Sequence, residues 1–63
     1  MTLNQAREMI KERIDFKVNQ IKKRKLQLEA GKFETITELI EVEIRNLQKD
    51  IEFLKAIDME LSS

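Results

Sequence analysis

The side chains that could do chemistry in this sequence are few in kind. Carboxylates recur in pairs at helical spacing, Glu8 with Glu12, Glu34 with Glu38 and Glu38 with Glu41. Pairs at i, i+3 and i, i+4 share one helix face, as general acid–base or metal chemistry would require. Here they alternate with Lys and Arg, as an ordinary solvated helix surface does. The chain has no His and no Cys, which excludes a zinc finger, a cysteine–histidine dyad and the Glu-x-x-His motif of di-metal bundles. Gly31 is the single glycine, so there is no glycine-rich loop to cradle a phosphate. Ser62 and Ser63 have no base near them in sequence. No catalytic residue, metal, cofactor or small-molecule substrate is expected.

A second cluster points to a different chemistry. The basic run Lys22-Lys23-Arg24-Lys25, with Lys17 and the amides of Asn19, Gln20 and Gln27, has the composition of a phosphate-gripping surface. Phe16 could stack on a base beside it. Against this, successive helical residues turn by about 100°, so four in a row cannot all reach one backbone. Positive charge toward a helix C-terminus also complements the macrodipole. Glu38, Glu41 and Glu43 of the second half would stand opposite to absorb it. Nucleic-acid contact through Lys17, Lys22, Lys23, Arg24 and Lys25 is therefore an alternative to pairing within the chain.

These residues must be positioned by helices. Sixty-three residues make one small domain, and hydrophobic residues (41%) barely outnumber charged ones (38%). No apolar run exceeds two residues, which rules out a membrane span and a signal-peptide core, so a cytoplasmic location is expected. Proline is absent. In the first half Leu3, Ala6, Ile10, Ile14, Val18, Ile21 and Leu28 recur at helical spacing behind the capping box Thr2-Leu3-Asn4-Gln5. In the second, Phe33, Ile36, Ile40, Ile44, Leu47, Ile51, Leu54 and Leu61 do the same, with Thr35-Ile36-Thr37-Glu38 as a second capping box. Gly31 lies where a left-handed residue would end the first helix. The spacing predicts an all-α antiparallel hairpin, helix 3–30, turn around Gly31, helix 35–61. A continuous helix broken by one tolerated glycine is the competing reading.

Folding about Gly31 pairs residues whose numbers add to about 61–63. Ile21 then meets Ile40, Val18 meets Ile44, Ile14 meets Leu47 and Ile10 meets Ile51. The same register sets Arg13 against Asp50, Lys17 against Glu43, Lys22 against Glu41 and Glu8 against Lys55. Residues 1–31 hold eight basic and four acidic side chains, and residues 32–63 hold four and eight. The zero net charge is therefore the sum of a basic helix and an acidic one. Arg7 and Asp58 interrupt the two apolar stripes and are expected to pair across the hairpin.

With the seam filled, Ala6, Met9, Phe16, Leu39, Val42, Phe53 and Ile57 are left on one flank of the hairpin. The opposite flank is polar, with only Leu26 and Met59 apolar. Monomers rarely expose such a patch, and pairing of two hairpins into a homodimeric four-helix bundle would cover it. A different helical protein, or a trimer or larger assembly, would cover it too. Ala6, Met9, Leu39, Val42, Phe53 and Ile57 are the candidate interface. Phe16 and Gln20, ringed by Arg13, Asn19 and Lys23, are the candidates for recognising a partner.

In length and architecture the chain resembles the Rop family of plasmid RNA-binding proteins, helical-hairpin dimers that read RNA loops through the first helix. Phe16 and Gln20 are similar in type and spacing to that family's RNA face. The Ile-rich stripes here depart from the alternating Ala and Leu of Rop-type cores. A second likeness, to the Sda-type hairpins that inhibit sporulation histidine kinases, covers the eight residues Glu38-Leu39-Ile40-Glu41-Val42-Glu43-Ile44-Arg45. These resemblances imply a helical hairpin that acts by binding a macromolecule, RNA in the first case and a protein in the second. The expected function is a small non-enzymatic interaction protein, a regulator or adaptor that binds another protein. RNA or DNA binding and a purely structural oligomerisation role are the alternatives.

Overall fold

The computed structural model describes residues 1–31 and 36–63. Two helices account for nearly all of them, α1 over Leu3–Ala30 and α2 over Thr37–Ser62. The first begins where its capping box requires. The backbone N–H of Gln5 donates to Thr2 Oγ1 at 3.2 Å, and the N–H of Thr2 donates to Gln5 Oε1 at 2.9 Å. Two of the N–H groups that every helix start leaves unpaired are thereby satisfied. It ends at Gly31, whose φ of 64° and ψ of 15° are left-handed and whose N–H donates to the Leu28 carbonyl at 3.2 Å. This is the helix stop expected of the lone glycine. A continuous helix is thereby excluded.

Helix α2 follows residues 32–35 closely. Ile36 is the residue flanking its first turn, without a side-chain cap, and the helix begins at Thr37. Thr35, Phe33 and the Glu34–Glu38 pair involve positions outside the described residues.

The helices run antiparallel as a body of 45 × 14 × 14 Å. Among the described residues three ion pairs mark their register: Arg7–Asp58 at 3.0 Å, Lys17–Asp50 at 3.2 Å and Arg24–Glu43 at 3.0 Å. Their residue numbers add to 65, 67 and 67, about one helical turn beyond the expected 61–63. Helix α1 ends at Ala30 and α2 begins at Thr37, so the register is not symmetric about Gly31. Lys17 accordingly pairs with Asp50, not Glu43. Among the described residues the expected Arg13–Asp50, Lys22–Glu41 and Glu8–Lys55 pairs do not form. The Arg7–Asp58 pair does.

The seam is aliphatic. Ile21, Ile40, Ile44, Leu47 and Ile51 form the buried cluster, with Ile14, Val18 and Leu28 partly buried against it. Four of the five buried residues come from α2. Among the described residues no side chain is completely enclosed, because each helix packs on one other and a single seam screens one side of it.

Candidate interaction surface

With Ile14 and Ile40 as the seam centres and about 100° per residue, one flank of the hairpin carries Ala6, Met9, Arg13, Lys17, Gln20 and Arg24 from α1. From α2 the same flank carries Leu39, Glu43, Asp50, Phe53 and Ile57, while the expected Phe16 and Val42 lie at its outer edge, about 160° from the seam. The side-chain positions bear this out at both ends. Near the open end, Ala6 and Met9 share a depression of about 320 Å³ with Ile10, Arg13, Leu54 and Ile57. Near the turn, Leu39 lines another of about 200 Å³ with Arg24, Gln27, Ile36 and Glu43. Leu39 (69% exposed) and Phe53 (67%) stand out into solvent, and Val42 is exposed as well.

The flank expected to be apolar is therefore mixed. Two of the three cross-hairpin ion pairs, Lys17–Asp50 and Arg24–Glu43, lie across it, dividing the Ala6–Met9–Ile57 cluster from Leu39. Helical position alone puts these four residues on the flank, and the register decides which of them meet. It sets Asp50 and Glu43 level with basic residues long enough to reach over the seam edge, which an inspection of apolar positions alone does not reveal. Arg24 is held further by donating from Nη1 to Gln27 Oε1 at 3.0 Å.

Phe16 is 64% exposed on the outer side of α1. It lines a depression of about 360 Å³ with Met9, Glu12, Arg13 and Lys17, and a second, of about 190 Å³, with Gln20, Lys23, Arg24 and Gln27. Phe16 and Gln20, the two recognition candidates, are thus brought together.

The basic run divides. Lys17 and Arg24 are engaged with α2, whereas Lys22, Lys23 and Lys25 are exposed and make no ion pair among the described residues. The last turn of α1 holds no basic residue, so the expected macrodipole role for this run is weak, since that effect fades beyond one turn. Among the described residues no group of carboxylates is placed to hold a metal, and no helix is long and apolar enough to cross a membrane.

No protein-family model, curated protein or solved structure matches the chain. The likenesses to Rop-type and Sda-type hairpins rest on length, architecture and the quoted residues alone.

Proposed function

We propose that this protein is a non-enzymatic regulator or adaptor, a helical hairpin that pairs with a second copy of itself and binds another protein through the outer face of α1. The observation that carries the reading is Phe16. Its ring is 64% exposed at the middle of α1, between two depressions, and the seam is already filled by Ile14, Val18 and Ile21. An aromatic side chain held this way on a rigid helix fits the anchor of a protein interface, where aromatics contribute most of the binding energy. Gln20, one turn further along at the outer edge of the flank, lines one of these depressions with Phe16 and supplies an amide to orient a partner.

The self-pairing is supported by area. A compact body of 7.5 kDa exposes about 4,200 Å², whereas this hairpin exposes 5269 Å².

The test is quantitative capture by the immobilised protein from the lysate of its native host, with wild type, Phe16→Ala and Gln20→Ala compared at low and raised salt. A bound protein retained at raised salt and lost with Phe16→Ala supports the reading. Binding that collapses with salt and disappears on nuclease treatment assigns the surface to nucleic acid through Lys22, Lys23 and Lys25 instead. Capture of nothing but the chain itself makes the hairpin a structural oligomerisation module.

A further inference from the structure

We infer that the second copy docks on the flank carrying the Lys17–Asp50 and Arg24–Glu43 pairs, with its two-fold axis along the hairpin's length, so that both turns lie at the same end of the bundle. The inference rests on the self-pairing proposed above and specifies its geometry.

The area required points to a second copy of equal size. A compact body of twice the mass would expose about 7,000 Å². Two hairpins at 5269 Å² each would reach that value by burying about 3,500 Å² between them, within the range of obligate homodimers. A flank of one elongated face can bury that much only against a surface of similar length, which a second 45 Å hairpin provides.

Two arrangements of face-to-face hairpins have closed two-fold symmetry, and charge separates them. Lys17 and Asp50 lie at the midpoints of α1 and α2. If the axis crosses the hairpin at mid-height, α1 packs on α1 and α2 on α2, so that basic helix meets basic and acidic meets acidic. Lys17 then meets its own copy, as does Asp50. If the axis runs lengthwise, α1 of each copy packs on α2 of the other, and the register seen within one hairpin recurs between the two. Lys17 then lies level with Asp50 of the second copy and Arg24 with its Glu43, so charges alternate around each quartet. At the open end, Met9 comes level with Ile57 of the second copy, and Arg13 with its Phe53, where a guanidinium over an aromatic face is favourable. Neighbouring helices are antiparallel in either arrangement, so their dipoles do not separate the two and the charges do.

The chain has no cysteine of its own, so a single nitroxide can be placed at will and read by pulsed electron–electron dipolar spectroscopy. Glu29→Cys puts the label in the exposed last turn of α1, and Asn4→Cys puts it in the exposed first turn. With the lengthwise axis both variants give a short distance, about 20–25 Å across two helix diameters. A distance near 40 Å, the length of a helix of this size (about 1.5 Å per residue), at either site overturns the arrangement while leaving the dimer intact. Sedimentation of both labelled variants and of the wild type as monomers at the same concentration overturns the self-pairing itself.

Discussion

The two exposed phenylalanines separate fold from recognition. Phe16 and Phe53 are almost equally exposed in the single hairpin, at 64% and 67%, so each already buries about a third of its surface. Burying a whole Phe side chain is worth about 1.5–3 kcal/mol, which limits the intramolecular contribution of either ring to roughly 0.5–1 kcal/mol. Any larger effect must come from a second molecule. Phe53 lies on the flank assigned to the second copy, and Phe53→Ala should cost clearly more than that limit, up to the roughly 3–5 kcal/mol of a buried Phe truncation. Phe16 points about 160° away from the seam, further out than the α1 residues of that flank. Phe16→Ala should therefore leave helicity, oligomeric state and melting within the 1 kcal/mol limit while partner capture is lost. Circular dichroism melts and sedimentation of the two variants, at matched concentration, make the comparison. Equal and large destabilisation by both would refute the reasoning, because Phe16 would then be part of the assembly core.

Gly31→Val should destabilise by roughly 1–2 kcal/mol from its left-handed backbone alone, since a Cβ there meets nothing within 4 Å; a neutral effect in a urea titration would contradict the helix stop. The Arg7–Asp58 pair keeps 33% and 23% of its side chains exposed, so Asp58→Ala should cost about 1–2 kcal/mol, between the values for exposed and buried pairs. Replacing both partners, Arg7→Leu with Asp58→Leu, should be neutral or stabilising by the same titration, and a loss as large as that of the single change would show the pair to be a net contributor.

Much of this fold was legible because local signals and the apolar period agreed. The reciprocal Thr2–Gln5 cap, the left-handed Gly31 and the stripe from Ile14 to Ile21 lead to the same α1 that the structure shows. Arg7–Asp58 was legible for a reason independent of register: each interrupts an apolar stripe, and a charge at a seam position needs a partner. The remaining ion pairs were not, because they depend on the length of the connection. Taking Gly31 as the centre of the turn rather than its first residue displaces every level by about one turn. The mixed character of the flank follows from helical position, but apolar type alone does not show it. Side-chain type groups Ala6, Met9 and Ile57, which line one depression, but only the true register shows that Lys17 and Arg24 reach across to Asp50 and Glu43.

The central claim, that the working unit is a pair of hairpins, is tested most directly by thermal melts over a concentration series. A tenfold rise in chain concentration shifts a dimer's equilibrium by about 1.4 kcal/mol. Two 63-residue chains unfolding with about 0.7 kcal/mol of enthalpy per residue should then melt about 5 °C higher for each tenfold step. A melting temperature that stays constant across the series, with sedimentation at the mass of one chain, would contradict the account.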